Sequence, residues 1–518
     1  MKPSHWLFPL YASGLCATGI AVVVLLSLLQ TDGVLVYTLD DPYIHLSVAE
    51  SILEGGYGIN AGEYASPSSS ILYPYLLAAG LKLGLGTYGP LVIAGTFSLF
   101  STLLLAHFVA QVLQQNKADL LSWTTFLVMG VASVLALNAI ALPMNGMEHS
   151  LHVFGVVLAL TGLYDVLVEE RTSQLWAALL GSLICATIRF EGLALVAGVG
   201  LALSLAGHRL AALTLVSLAA SVLFAYGSYM TSLGLPFFPS SVMTKSQIAS
   251  QASEGSLLSL VKSFVRNFLN ALTSDRGVVM GIVAAIGLAL CVDRNTPLKF
   301  RIFLLAGLIV ILGHLLAGRF GWFDRYEIYA VAAMFVMCLA VLRHRGGTTA
   351  VLAFAMATLI YVTPYAITVI RSPAAAANIY QQQYQMHRFV QDYYPAPVAV
   401  NDLGWVAYQN ENFVLDLWGL GSEEARRLTA GEGWTPQKLS EITERHAIQY
   451  AMIYDSWFEG VPKNWCLAGQ LITSQVTAAS DTVSFYLIDK ANAEQFTQSL
   501  QALEDTLPNG AELKIWRC

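Results

Sequence analysis

Between positions 6 and 370 the chain consists largely of long apolar runs separated by short polar corners. A run of about 20 apolar residues is long enough to cross the hydrocarbon core of a bilayer. Inside that core every backbone polar group must bond internally, which leaves the helix as the spanning form. Only 12% of the residues are charged and 56% are hydrophobic, whereas soluble domains carry about 25% charged residues. The runs predict eleven spans, at 6–29, 88–113, 120–142, 151–168, 175–188, 193–206, 210–230, 278–292, 302–317, 328–342 and 350–370. The first is too long for a signal-peptide core and is followed by Gln30-Thr31-Asp32, a poor cleavage site, so it is read as retained.

Lys and Arg in short loops orient such a chain. With the N-terminus in the cytoplasm, the inner loops carry Lys117, Arg171, Arg209, Arg294, Lys299, Arg301, Arg343 and Arg345. The outer face then receives a long first loop, 30–87, a second at 231–275, three tight polar corners and everything after Arg371. The expected architecture is a polytopic α-helical membrane domain over 1–371 and a soluble, extracytoplasmic α/β domain over 372–518. Residues 373–518 hold 17 acidic and 9 basic side chains, so the net charge of −7 belongs to this segment. A helix is expected at 378–394, strands at 397–400, 413–417, 449–454 and 482–488, and a capped helix at 435–446. Cys466 and Cys518 lie in this segment and can pair if it is outside the cytoplasm. The chain has no basic stripe of the kind nucleic acid requires.

Charged residues beside the spans carry the functional argument, because such groups are costly near lipid. Asp40-Asp41-Pro42-Tyr43-Ile44-His45 follows the first span. The two carboxylates can bind a divalent cation such as Mg or Mn, deprotonate an acceptor hydroxyl, or simply form a solvated helix cap. His45, one helical turn from Asp41, can assist it. The 42–53 stretch suits a helix lying on the membrane. Gly56-Tyr57-Gly58-Ile59-Asn60 and Ser66-Pro67-Ser68-Ser69-Ser70 come next, leading into an ordered re-entrant or interfacial segment at 71–84. Glu148, Arg189, Glu191, Lys245 and Arg325 also map to the outer face. The three cations can hold a lipid phosphate. Plainer roles stand beside these: an Arg189–Glu191 ion pair tying helix ends, a headgroup contact for Lys245, and pairing of Arg325 with Asp324 or Glu327. His149 and His152 are read as packing residues. Tyr43 and the other loop aromatics suit either a membrane-interface belt or stacking on sugar rings.

The first-loop motifs resemble those of GT-C glycosyltransferases, in particular bacterial arabinofuranosyl- and mannosyltransferases that use polyprenyl-phosphate sugars. Asn145-Gly146-Met147-Glu148, Arg189-Phe190-Glu191-Gly192, Gly234-Leu235-Pro236 through Lys245-Ser246, Arg325-Tyr326, and the strand motifs at 398–404 and 414–421 resemble the family in the same order. Phe190 stands where proline is usual, and Ser47 where arginine is often found. The resemblance implies Asp40 as catalytic base and Asp41 as its partner or a metal ligand. It also implies a polyprenyl-phosphate sugar donor and a glycan, lipid or protein acceptor at the outer face of the cytoplasmic membrane. The alternative is a transporter or flippase for a lipid-linked or small polar solute, which would carry broken helices and repeated halves; no repeat is visible.

Overall fold

A computed structural model describes residues 7–115, 123–245, 257–345, 347–429 and 433–518. The chain is mostly helical, with a sheet confined to its C-terminal region. Among the described residues, six helices are long and apolar enough to cross a membrane: Phe8–Gln30, Gly86–Gln114, His149–Leu167, Arg209–Ser232, Asp275–Val292 and Leu298–Ala317. A seventh candidate, Thr349–Tyr361 with Thr363–Tyr393, is bent by 45° at its break. The other apolar stretches form shorter helices, Trp123–Ala136, Thr172–Ile188, Phe190–Leu205 and Ile328–His344.

The described residues divide into two compact units, each assembled from separated stretches. The first takes Met1–Leu25, Pro90–Ala225 and Ser250–Arg371; the second takes Leu26–Gly89, Tyr226–Ala249 and Ser372–Cys518. In the first, Gly155 and Gly181 face each other and let the helices His149–Leu167 and Leu175–Ile188 pack backbone to backbone.

The second unit is built on a six-stranded mixed sheet. In chain order the strands are β1 (Val398–Val400), β2 (Val414–Asp416), β3 (Tyr450–Ile453), β4 (Cys466–Thr473), β5 (Thr482–Leu487) and β6 (Ala511–Ile515). Their spatial order is β2-β1-β3-β5-β4-β6. β1 pairs in parallel with β2 and β3, and the remaining pairs are antiparallel. The parallel strands are buried at every position, as strands covered on both faces should be. Val398, Val400, Tyr450 and Met452 point into one core, and Ala399, Leu415, Ala451 and Ile453 into the other. Thr435 caps the helix Pro436–Arg445, its side chain accepting the Lys438 N–H.

The first loop folds into this unit. The helix Asp41–Leu53 buries Pro42 through Ala49, so it does not lie on a surface as its sequence suggests. Ser66, Ser68 and Ser70 are all buried. Ser66 bonds Ser240 (Oγ–Oγ 2.9 Å), and Ser70 accepts the N–H of Tyr73 at the start of the helix Tyr73–Lys82 (3.1 Å). Asn60 binds the edge strand as another strand would: its Nδ2 donates to the Val414 carbonyl (3.0 Å) and its Oδ1 accepts the Val414 N–H (2.8 Å). Gly58 is required next to it, because a Cβ there would stand 2.5 Å from the Glu63 carbonyl oxygen.

Cys466 and Cys518 form a disulfide across 52 positions. Closing a loop of that length stabilises a domain by about 4 kcal/mol. Reduction is therefore expected to lower the unfolding midpoint of the second unit strongly, and non-reducing peptide mapping should recover a linked 466–518 pair. Two free thiols in that map would dismiss the pairing.

Candidate functional site

The loop after the helix Phe8–Gln30 delivers Asp40 to the end of β1, within the second unit. Asp40 is buried. Its Oδ2 accepts the Gly404 N–H (2.6 Å) and its Oδ1 the Trp405 N–H (2.9 Å). Position 404 must be glycine, since a Cβ would lie 2.5 Å from Oδ2 and closer still to the Asp40 carbonyl oxygen. Asp40 does not cap its own helix, which removes the solvated-cap reading. Asp41 opens that helix and is half-buried.

Asp402 joins them, two residues past β1. Its Oδ2 accepts from Gln383 Nε2 (2.8 Å) and from the Tyr454 hydroxyl (2.9 Å), and Asp40 and Asp41 are its acidic neighbours. Burial and then the neighbouring Asp402 charge push Asp40 far above the usual carboxylate range, against the pull of the two amides. Burial also raises Asp402, against the Gln383 and Tyr454 bonds. Asp402 keeps part of its surface exposed, so it is the more accessible of the two. It sits where ligands commonly bind in such folds, beyond the carboxyl ends of parallel strands and between β1 and β3, where the chain reverses direction in the sheet. Sequence reasoning passed over Asp402 although it lies inside the 398–404 motif; the requirement for glycine two residues later was the available signal.

Asp416 shows the same motif chemistry in a purely architectural role. Its oxygens accept the N–H groups of Trp418 (2.9 Å), Leu420 (2.6 Å) and Gly421 (2.7 Å), and burial raises it to about 6. Two predicted substrate contacts are also interior. Tyr43 is fully buried, accepts the Tyr37 N–H (3.1 Å) and stacks on Trp405 at 3.8 Å. His45 is buried and bonds the Ser68 hydroxyl through Nδ1 (3.0 Å). For the expected divalent cation, Asp40 commits both oxygens to amides, and among the described residues no group of three or more His, Cys, Asp or Glu gathers to hold a metal.

A second polar cluster lies within the first unit. Arg189, between two apolar helices, binds Glu148 through Nη1 (2.8 Å) and Glu191 through Nη2 (2.8 Å) and Nε (3.3 Å). Both anticipated partners are engaged, and Glu148 is completely buried. Tyr326 lies under both guanidinium groups, 5.8 Å from Arg189 and 5.1 Å from Arg325. Asp324 and Glu327 form ion pairs with Arg276. Trp322, Phe323 and Asp324 all have positive φ, which costs roughly 1–2 kcal/mol per residue. Asn145 and Asn138 hold the run in place by donating to the carbonyls of Phe323 (3.4 Å) and Asp324 (3.1 Å). Lys245 ends the helix Ser240–Lys245, and its side chain lies outside the described residues.

Residues 377–486 match a family described as a domain of unknown function (DUF8728). The match includes Asp402, Asp416 and Tyr454 but not Asp40. No curated protein matches the chain.

Asp40, Asp402, Asp416 and Glu50, the last raised to about 7 by burial, all bind protons more tightly folded than unfolded. Their favourable contribution is complete below pH 4 and is lost as pH rises through the folded values. For Asp416 the loss by neutral pH is about 3 kcal/mol. Thermal unfolding of the detergent-solubilised chain should therefore occur at higher temperature at pH 5 than at pH 7.5. Asp402→Asn should flatten that slope by removing the charge beside Asp40. A slope of opposite sign, or one unchanged in the variant, would contradict the coupling of Asp40 to Asp402.

Gly404→Ala gives a second check. Separating Asp40 from two amides to which it is charge-bonded should cost on the order of 3–6 kcal/mol. Wild-type stability in that variant, measured by denaturant titration, would mean that the Asp40 clamp does not form.

Proposed function

We propose that the chain is a multi-pass membrane glycosyltransferase of the GT-C type, transferring a sugar from a polyprenyl phosphate to a glycan, lipid or protein acceptor. The observation that carries this reading is the carboxyl pair formed by Asp40, on the loop that follows the first long apolar helix, and Asp402, just past β1, with Asp41 beside Asp40. A buried carboxyl group with raised proton affinity suits general-base work near neutral pH. The 466–518 disulfide supports placing the second unit outside the cytoplasm. The four shorter apolar helices, the bent pair and the six long helices together supply candidates for all eleven expected spans.

In the proposed step the acceptor hydroxyl gives its proton to the carboxyl pair as its oxygen bonds to the anomeric carbon. The bond from that carbon to the phosphate oxygen breaks, and the polyprenyl phosphate departs with the electron pair. A single displacement inverts the anomeric centre. Asp402 and Asp41, the more exposed carboxylates, meet the acceptor, and Asp40 takes up the proton. The candidates for holding a lipid phosphate are Lys245, in the same unit as the carboxyl pair, and Arg189 and Arg325 of the first unit. No step runs through a metal ion.

One observation favours the alternative of a transporter or flippase. The 45° break between Thr349–Tyr361 and Thr363–Tyr393 is the kind of discontinuity such proteins use.

The deciding assay is transfer of radiolabelled sugar from membrane-supplied polyprenyl-phosphate sugars, at matched expression of wild type, Asp40→Asn and Asp402→Asn. Removing a general base typically costs about 10²–10⁴-fold, and both variants are expected to fall by at least the lower figure. Transfer at the wild-type rate by both variants would remove the carboxyl pair from catalysis. Absence of transfer by wild type across a donor panel would favour the transporter.

A further inference from the structure

The arginine cluster of the first unit is surrounded by histidines that the proposed function does not use. His149 and His152 stand on the helix His149–Leu167, and His314 on Leu298–Ala317; all three are buried. Four of their ring nitrogens meet no hydrogen-bond partner among the described residues: His149 Nδ1, both nitrogens of His152, and His314 Nε2. Their rings are nevertheless fixed. His152 stacks on Tyr329 at 4.5 Å, and the Tyr329 hydroxyl lies 3.1 Å from His314 Nδ1. His149 Nε2 lies 3.4 Å from Arg189 Nη1. His152 has Glu191, Arg189, Glu148 and His314 as its electrostatic neighbours, so the three imidazoles belong to one polar interior.

Buried polar atoms of native proteins are almost always bonded, by protein, water or ligand. What these nitrogens require can be read from their chemistry. A guanidinium only donates, so His149 Nε2 is an acceptor and its proton sits on Nδ1, which seeks an acceptor. A neutral His152 offers one donor and one acceptor. An oxyanion only accepts, and would leave the accepting nitrogen of His152 unmet. A hydroxyl group both donates and accepts, and several hydroxyls on one rigid ring can meet several fixed imidazoles together.

We propose that His149, His152 and His314 form a site for a neutral polyhydroxylated ring, the sugar of the lipid-linked donor, beside the guanidinium groups that are candidates for its phosphate. This inference rests on the lipid-donor reading.

The test uses the full-length chain in detergent and measures binding of bare undecaprenyl phosphate and of undecaprenyl phosphate carrying mannose, glucose, galactose or arabinose. Wild type should bind at least one loaded lipid about 10-fold or more tighter than the bare one. His152→Phe, which keeps the stack on Tyr329, and His314→Phe should erase that preference and leave bare-lipid binding unchanged. His152→Gln, which retains a donor and an acceptor, should restore part of it and controls for a misfolded phenylalanine variant. Equal wild-type affinity for bare and loaded lipids, or a preference that survives both phenylalanine variants, would overturn the inference, the nitrogens then meeting water only. Wild type that binds neither bare nor loaded lipid would overturn the lipid-donor reading itself.

Discussion

The carboxylate of Asp40 accepts two backbone N–H groups from the turn after β1, and much of the second unit follows from that contact. It ties a loop near the start of the chain to a strand that begins more than 350 positions later. Each such charge-assisted bond is worth roughly 1.5–3 kcal/mol, and the geometry admits only glycine at 404. Around it the Tyr43–Trp405 stack, the Asn60 bonds to β2 and the Ser66–Ser240 contact bind the same loop to the sheet. A charge buried this way would be expensive if left bare. The protein offsets the expense with two amides, while burial and the neighbouring Asp402 raise the proton affinity of Asp40 and turn a structural tie into a chemically interesting pair.

The parts of this arrangement visible in the sequence are those with a local pattern. The apolar runs read as helices because their length leaves no other option. Four strands of the sheet were legible from their β-branched and aromatic clusters. β4, Cys466–Thr473, was not, because Gly469 and Gln470 interrupt its apolar pattern and its neighbours β5 and β6 come later in the chain. β6, Ala511–Ile515, is short and charged on its open positions. The burial of Tyr43 against Trp405 and of His45 against Ser68 was not legible, because position in a loop does not reveal which way a side chain faces. Asp402 was hidden for the opposite reason. Its importance comes from Asp40, and no local spacing announces a partner so distant in sequence.

The first unit presents a different balance. Its backbone spends several kcal/mol on the left-handed run from Trp322 to Asp324. Asn138, Asn145 and Arg276 hold that run against relaxation. Arg276 escaped sequence reasoning because it follows Asp275 at the mouth of an apolar helix, where an acidic–basic pair looks like ordinary capping. Structures that keep strained backbone usually do so because the side chains it displays are needed there. Here the run leads directly into Arg325 and Tyr326, whose ring also underlies Arg189.

Buried ion pairs are a poor means of stabilising a fold, since desolvation consumes most of what attraction provides. The Glu148–Arg189–Glu191 network is therefore better understood through what it fixes than through what it stabilises. Two carboxylates hold the guanidinium in one orientation and outweigh its single charge. With Arg325 also over the Tyr326 ring, the two arginines and two glutamates balance in formal charge around the buried imidazoles. Charged donors recognise phosphate, whereas uncharged imidazoles recognise hydroxyls. On the proposed reading, a polar interior that keeps both kinds of group offers its charged donors to the phosphate and its imidazoles to the sugar.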